Sequence, residues 1–178
     1  MTSVHTGKHQ EAVTPPLFRL AQLDDAPEIL AIYNDCVRTR QSCGHTEPIR
    51  LLTVLDWLDN MSAERPIWVV ESSHGSLMAW FATEDFYGLP AFESVVEVSV
   101  YIQARYQRQG LGGQVLTYIE AYLQTIHVSH MVAYIYAHNA ASIALFKRHQ
   151  FEQWGRLPQV AVLDGQRFDL LLLGKCLI

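Results

Sequence analysis

The feature of this sequence that most constrains its fold is the segment over residues 98–116, VSVYIQARYQRQGLGGQVL. A valine-rich strand pattern leads into a polar turn, and glycines stand where a long amphipathic helix begins. The first backbone N–H groups of a helix have no intrahelical partner and lie at the positive end of its dipole. Gly110 and Gly112 leave room for an anion beside those groups, because glycine has no Cβ. The segment predicts a strand–turn–helix unit that can bind a phosphate group.

Two well-known phosphate motifs are missing from this unit. The sequence has no Gly-Lys-Ser/Thr of a P-loop, and no GxGxxG with a partner acid about twenty residues further on. An ordinary strand-to-helix turn that contains glycines is the alternative interpretation, and glycines alone favour it. Other parts of the chain must decide between the two.

The remaining chain alternates helix and strand patterns without a fixed repeat. Helices are predicted from a cap at Asp24 or Asp25 to Val37, from a cap at Thr53 to Met61, and over residues 110–126 and 139–148. Strands are predicted over residues 17–22, 67–71, 77–82, 94–103, 131–136, 151–157 and 168–173. Residues 39–52 form a long loop of the kind that often lines a site. We expect one α/β domain with a mixed sheet over residues 17–178, after a flexible polar tail over residues 1–16.

Composition excludes several functions. The 178 residues suit one globular domain, and a formal net charge of −5 argues against a nucleic-acid partner. No apolar run reaches the roughly 18 to 20 residues that span a membrane. The three cysteines form no CxxC pair, which favours a cytoplasmic protein, and no cysteine or carboxylate completes a metal site around His127 and His130.

The sequence resembles a known family. Q-x-x-G-x-G over residues 107–112, after a strand of the form V-x-V-x-I, resembles the acetyl-CoA signature of the GNAT superfamily. V-E-V-S-V-Y-I, N-A-A-S-I-A-L-F and the tail G-R-L…G-Q-R-F-D-L are similar to its phosphinothricin and amino-acid acetyltransferase branch. The resemblance extends from about residue 18 to residue 173. It implies the GNAT fold, a mixed, mostly antiparallel central sheet with splayed fourth and fifth strands and about four flanking helices.

The resemblance also implies acetyl-CoA as co-substrate. Its pantetheine arm is expected between the splayed strands, paired with the backbone of Val100, Tyr101 and Ile102. Its pyrophosphate is expected on the turn and helix start, formed by Gln107, Arg108, Gln109, Gly110, Leu111, Gly112 and Gly113. Asn139 is expected to hydrogen-bond the pantetheine or to hold its own helix against it. Because Asn is favoured at helix N-caps, a capping role is open as well, and both can hold.

Glu97 is the candidate general base. A carboxylate within the apolar strand 95–100 is unfavourable unless it meets water, a partner or substrate. It can simply point to the open face of a half-buried strand, but its match to the V-E-x-S-V-Y motif favours catalysis. Glu97 would then take the proton of the acceptor ammonium, directly or through one water, with a pKa raised by partial burial. The backbone N–H of Val98 or Ser99 is the candidate oxyanion donor.

The sequence departs from the family pattern at two positions. Val98 follows Glu97 where this branch commonly has histidine, and Phe146 stands where relatives have histidine or a tyrosine acid. An apolar ring cannot protonate the leaving sulfur, although the thiolate of coenzyme A can leave without a dedicated acid. The candidates to replace that acid, which can equally be core residues, are Tyr101, Tyr134 and Tyr136.

The acceptor is the open question. Residues 83–92 contain no Arg or Lys to hold a carboxylate, but two acids and the aromatic residues Phe86, Tyr87 and Phe92. This favours an amine with little negative charge, unless Arg40 or Arg50 in the first long loop supplies the charge. The aromatic residues can equally form the interface of a homodimer.

These observations predict an N-acetyltransferase for the primary amine of a small molecule, either amino-acid-like or another amine. Two alternatives remain at this stage. One is an acetyltransferase that modifies protein N-termini or lysines, because an acidic aromatic loop suits a basic peptide. The other is a non-catalytic acyl-CoA sensor, consistent with the departures at Val98 and Phe146.

Overall fold

The computed structural model describes residues 15–42 and 44–178. The predicted tail over residues 1–16 therefore lies, except for Pro15 and Pro16, outside the described residues. Within the described residues the strands are β1 Leu17–Leu20, β2 Ile67–Glu71, β3 Leu77–Asp85, β4 Val95–Ile102, β5 His130–Tyr136, β6 Glu152–Leu163 and β7 Gln166–Cys176. The α-helices in the same part of the chain are α1 Ala26–Thr39, α2 Leu51–Asp59, α3 Leu111–Thr125 and α4 Ala140–Arg148.

The strands form one sheet in the order β1-β2-β3-β4-β5-β7-β6. Every neighbouring pair is antiparallel except β4 and β5, which are parallel. The β4–β5 pairing ends at Glu97 opposite Val132, whereas the β3–β4 pairing continues to Ile102 opposite Ala79. The two central strands therefore separate after Glu97. The predicted mixed, mostly antiparallel sheet with splayed fourth and fifth strands is confirmed, as are its flanking helices.

The sheet separates two apolar layers. Helices α3 and α4 pack on one face, against inward residues such as Val96 and Val98. Helices α1 and α2 pack on the other face, against Trp80 and Tyr101. Because successive side chains of a strand point to opposite faces, Glu97 points to the α1/α2 face. This alternation places the carboxylate on the face of the sheet opposite α3 and α4.

Several element boundaries differ from the sequence prediction, and β3, for example, extends to Asp85 where residue 82 was expected. Helix α2 begins at Leu51, so Thr53 lies inside the helix and Arg50, in an extended conformation, precedes it. The hairpin β6–β7 is much longer than predicted, because a register shift between Leu157 and Ala161 accommodates Pro158 within a continuous strand. A proline at such an irregularity needs no ladder hydrogen bond, so it does not end the strand.

The described helices lack the combination of length and apolar character that a membrane-spanning helix requires. Among residues 15–42 and 44–178, none is both long and apolar enough to cross a bilayer.

Candidate active site

A cavity of about 540 Å³ opens where β4 and β5 separate. Its walls are residues 97–101 of β4, residues 133–136 of β5, the start of α4, and residues 160–163 of β6. Gln41, Ser42 and Gly44 of the α1–α2 loop cover one side. The volume lies in the range of small-molecule binding sites. The cavity is therefore a direct consequence of the strand separation.

Within the described residues, the edge of β4 that faces this cavity pairs with β5 only as far as Glu97. Val100 and Tyr101 lie in the cavity wall. The ring of Tyr101 stacks on Trp80, with ring centroids 4.4 Å apart, and is held in the α1/α2 core. What this part of β4 offers to the cavity is therefore its backbone, whose N–H and C=O groups need partners.

The turn between β4 and α3 is fixed by its own side chains. Gln107 Nε2 donates a hydrogen bond to the Ile102 carbonyl at 2.9 Å, and Gln109 Nε2 donates to the Arg105 carbonyl at 2.6 Å. Arg108 and Gly110 have φ angles of +58° and +85°, so the chain turns sharply before the helix. The amides of Leu111 and Gly112 have no preceding turn of helix to supply an acceptor, so an anion can bind them, whereas the Gly113 N–H donates to the Gly110 carbonyl at 3.1 Å.

The two glycines of this turn serve different purposes. Gly110 is needed for its left-handed backbone conformation, and a Cβ there would meet no atom within 4 Å. Gly112 is buried, and a Cβ on it would lie 2.7 Å from Leu145 Cδ2 of α4. Gly112 therefore allows close packing of α3 against α4, a role that the sequence did not reveal.

Asn139 caps helix α4. Its Oδ1 accepts a hydrogen bond from Ser142 N at 3.0 Å, and its Nδ2 donates to the Gln41 carbonyl at 2.8 Å. The side chain is only 6% exposed. The capping role that the sequence left open is present, and the second hydrogen bond ties the α1–α2 loop to the cavity.

Arg40 ends α1 and fastens the same loop. Its guanidinium donates two hydrogen bonds to Asp164 in the β6–β7 turn, at 3.0 and 2.7 Å. His138 Nε2 donates to the Arg40 carbonyl at 2.9 Å. These contacts, which we call the Arg40 latch (Arg40, Asp164 and His138), hold the loop over the cavity. The side chain of Arg40 is therefore bound to an acid and is not directed at the cavity.

Glu97 stands at the point where the two strands part. It is half-buried, lines the cavity, and lies directly opposite Glu84 in the β3–β4 register. Burial raises the pKa of Glu97 to about 7, and the negative charge of Glu84 adds to this effect. Near neutral pH the carboxyl is therefore populated in both protonation states, as a general base or acid requires.

The candidate tyrosines differ in their surroundings. Tyr101 and Tyr136 are buried and stack on Trp80 and His138. Tyr134 lines the cavity and is 38% exposed. Burial, and then the charge of Glu97, raise the pKa of Tyr134 above its ordinary value. Tyr134 is therefore the one of the three that presents its phenol beside the carboxyl.

A comparison with protein families decides the class of this site. The model of the acetyltransferase (GNAT) family matches residues 27–151, which is more than two thirds of the chain. The chain belongs to the GNAT acetyltransferase family. The match includes β4, the turn and α3, so the strand separation and the helix start described above are elements of the GNAT fold.

Individual GNAT relatives agree. The chain is 34% identical to YwnH of Bacillus subtilis, named as a phosphinothricin acetyltransferase, over 88% of this chain and 96% of the relative. It is 36% identical to the L-methionine sulfoximine/L-methionine sulfone acetyltransferase of Pseudomonas aeruginosa, over 85% of this chain and 89% of the relative. The structure of Salmonella typhimurium yncA, solved with its cofactor acetyl-CoA, is 27% identical. It superposes with a TM-score of 0.87 over 93% of this chain and 95% of that chain.

The GNAT fold brings only part of the predicted site together. Glu97, Val100, Tyr101 and Asn139 line one cavity, with the turn 107–113 at the far end of β4. Phe86, Tyr87 and Phe92 instead form a cluster on the β3–β4 connection, with ring centroids 5.2 to 6.3 Å apart. Tyr87 and Phe92 are exposed, and Phe86 is half-buried. They are not part of the cavity wall in the described chain.

Sequence reasoning missed several residues at this site. Gln41 and Ser42 lie in a loop that was expected to line a site, but nothing in the sequence singled them out. The wall of β6 residues 160–163 follows from the unexpectedly long hairpin. Glu84 was noted only as one of two acids, because its position opposite Glu97 depends on the strand register.

Proposed function

We propose that this chain is an N-acetyltransferase that transfers the acetyl group of acetyl-CoA to the primary amine of a small molecule, with Glu97 as general base. The observation that carries the proposal is the placement of Glu97. It lies at the mouth of the cavity between β4 and β5, and its pKa is raised to about 7. The acetyl-CoA named for the yncA structure and the acetyltransferase names of the two relatives support the same chemistry.

The residues present fit acetyl-CoA. The strand-free edge of β4 at Val100, Tyr101 and Ile102 offers backbone groups to the amides of a pantetheine arm. The amides of residues 108–112 and the Arg108 side chain would hold the pyrophosphate at the positive end of α3, with Gln107 and Gln109 bracing the turn. The amide of Gly113, which the sequence also suggested, instead donates to the Gly110 carbonyl. Asn139 would hold α4 against the bound arm.

Acetyl transfer needs a neutral amine. Glu97 takes one proton from the acceptor ammonium, directly or through a water, and the amine then attacks the thioester carbonyl. The backbone N–H of Val98 or Ser99 would donate to the oxyanion that forms. When this intermediate collapses, the sulfur leaves as thiolate, and the second proton of the amine passes to the thiolate or to solvent. Phe146 is buried against Phe151 and has no proton to give. Among the tyrosines that line the cavity, the exposed Tyr134, on whose pKa the charge of Glu97 acts, is our candidate to protonate the sulfur.

The charge around the cavity favours an acceptor with little negative charge. No Arg or Lys is among the described residues that line it. Arg40 is bound to Asp164, and Glu84 adds a second carboxylate beside Glu97. The aromatic cluster of Phe86, Tyr87 and Phe92, in which Tyr87 and Phe92 are exposed, suits either the entrance for the acceptor or the interface of a homodimer.

An acceptor panel tests this function. We expect thiol release from acetyl-CoA with primary amines that lack a carboxylate, at rates that equal or exceed those with amino acids. The panel should contain methionine sulfoximine, phosphinothricin and a lysine peptide. A clear preference for methionine sulfoximine or phosphinothricin contradicts the proposed charge preference, and a preference for the peptide indicates a protein acetyltransferase. Cofactor binding without turnover on any amine indicates an acyl-CoA sensor.

The Arg40 latch gives a second expectation. Asp164→Ala should weaken acetyl-CoA binding by up to about fivefold, because the loop over the cavity loses a contact worth at most about 1 kcal/mol. Isothermal titration calorimetry measures the affinity, and hydrogen exchange over residues 40–50 reports loosening of the loop. Asp35→Asn, which removes the exposed Asp35–Arg38 pair on α1, is the matched control. Equal affinities for the two variants would show that the latch does not shape the cavity.

A further inference from the structure

We propose that Glu84 is a positioning residue of this acetyltransferase, which acts through Glu97 by forming with it a carboxylate pair that receives the acceptor as its ammonium ion. The inference rests on the proposed function, and it adds a residue that the family resemblance did not supply. It follows from the register of two strands and from the charges that face the pair.

The register brings the two side chains together. Glu84 of β3 lies directly opposite Glu97 of β4, in an antiparallel pair that continues regularly from Ala79 to Asp85. Both residues point to the α1/α2 face, as Trp80 and Tyr101 do on the same strands. Directly opposite residues of an antiparallel pair have Cβ atoms about 4.5–5.5 Å apart, and like charges there are destabilising.

The protein does not neutralise this pair. Neither carboxylate takes part in a salt bridge within residues 15–42 and 44–178. The nearby cation Arg65 is bound to Asp85, whose position next to Glu84 points to the opposite face. The pair thus borders the cavity through Glu97, while Glu84 is exposed outside the cavity wall, and no salt bridge to a described cation neutralises either acid.

The titratable groups around Glu97 form a site that disfavours additional negative charge. Glu84 faces it from β3, while Tyr134 and His130 lie on the same face of β5. Partial desolvation raises the pKa of Glu84 although its side chain is exposed, and burial together with neighbouring negative charge raises the pKa of Glu97 and of Tyr134. All three shifts oppose further negative charge. A single ammonium ion bound between the carboxylates reverses this balance.

The pair has a consequence for proton transfer. A carboxylate beside a second negative charge holds its proton more tightly than an isolated carboxylate does. Glu97 is thereby a stronger base, closer in proton affinity to the amine that it must deprotonate. Removal of the Glu84 charge should weaken both the base and the attraction for the ammonium.

The test is the pH dependence of kcat and KM for the best acceptor of the panel, between pH 5.5 and 9.5. Glu84→Gln should shift the ascending limb of the kcat/KM profile to lower pH by about one unit, because the pKa of Glu97 falls. It should also raise the KM for the acceptor by roughly three- to tenfold, with acetyl-CoA affinity unchanged. Glu84→Asp keeps the negative charge, so its pH profile and its KM for the acceptor should stay close to those of the parent protein. Glu93→Gln, which removes an exposed acid from the same connection, should leave the profile unchanged.

The possible outcomes separate this inference from the proposed function. An inactive Glu97→Gln enzyme together with an unmoved limb in Glu84→Gln overturns the carboxylate pair alone. A fully active Glu97→Gln enzyme overturns the assigned base and the pair with it. Carbon-13 NMR of glutamate side chains gives a readout without turnover, since the Glu97 carboxyl should titrate at lower pH in Glu84→Gln. An unchanged titration of Glu97 in that variant contradicts the pair.

Discussion

Replacement of Glu97 by glutamine should lower kcat/KM for the acceptor by roughly 10²- to 10⁴-fold at neutral pH, the usual contribution of a general base. Glutamine keeps the shape of the side chain and removes the group that accepts the proton. Steady-state thiol release with saturating acetyl-CoA measures the loss. Activity should partly recover as the pH is raised, because more of the acceptor is then already neutral.

The cofactor provides the control for this variant. Acetyl-CoA should raise the Tm of Glu97→Gln as much as that of the parent protein, because ligand that binds only the folded state stabilises it by mass action. The groups assigned to the cofactor are backbone groups of residues 100–113, which the substitution leaves in place. Near-normal turnover at neutral pH would place the base elsewhere or leave deprotonation to solvent.

The same variant should be more stable than the parent protein above pH 7. The pKa of the Glu97 carboxyl is 4.5 in its ordinary state and about 7 in the fold, so the folded protein binds this proton more tightly. The parent protein therefore loses stability as the pH rises from 4.5 to 7, and glutamine does not. With solvent screening at a half-exposed carboxyl, the gain above pH 7 is about 1–2 kcal/mol. A series of Tm measurements across this range checks the sign.

The sequence predicted the local elements well, because their signals are local. The valine-rich pattern of β4 and the glycines before α3 are readable as strand and helix start without any tertiary information. The separation of β4 and β5 came from the family resemblance, since the point where two distant strands stop pairing leaves no periodic pattern in either. The start of α2 was misplaced at Thr53, because the helix begins after Arg50 without a side-chain cap.

The parts of the site that could not be predicted depend on contacts between distant residues. Arg40 was a candidate to bind the acceptor, but it meets Asp164, which lies 124 positions further along the chain. Glu84 gains its significance from the register that sets it opposite Glu97. The sequence shows that both residues are charged, but only the fold shows which charged group lies opposite each of them.

The role of Gly112 also depends on a contact with a distant residue, and its replacement is the second substitution for which we expect a large effect. A valine at this position should destabilise the ligand-free protein by about 1–3 kcal/mol, because its Cβ would lie 2.7 Å from Leu145 Cδ2 in a packed interface. For a chain of this size the change corresponds to a fall in Tm of roughly 2–12 °C. The sequence analysis assigned Gly112 only to leaving room for an anion, and that role alone predicts a loss of cofactor binding without a loss of stability.

A second substitution separates packing from cofactor binding. Leu145→Ala should recover part of the stability lost in Gly112→Val, because it removes the side chain that the new Cβ meets, and the two changes should be coupled by about 0.5–3 kcal/mol. Gly110→Val is the matched control. Gly110→Val should lose stability because a β-branched residue tolerates a φ of +85° poorly. A Cβ at this position meets no atom within 4 Å, so Leu145→Ala should not recover the stability of Gly110→Val. Thermal unfolding of the single and double variants without ligand measures the coupling. A Gly112→Val protein with an unchanged Tm and a reduced response to acetyl-CoA would show that Gly112 leaves room for the cofactor and not for Leu145.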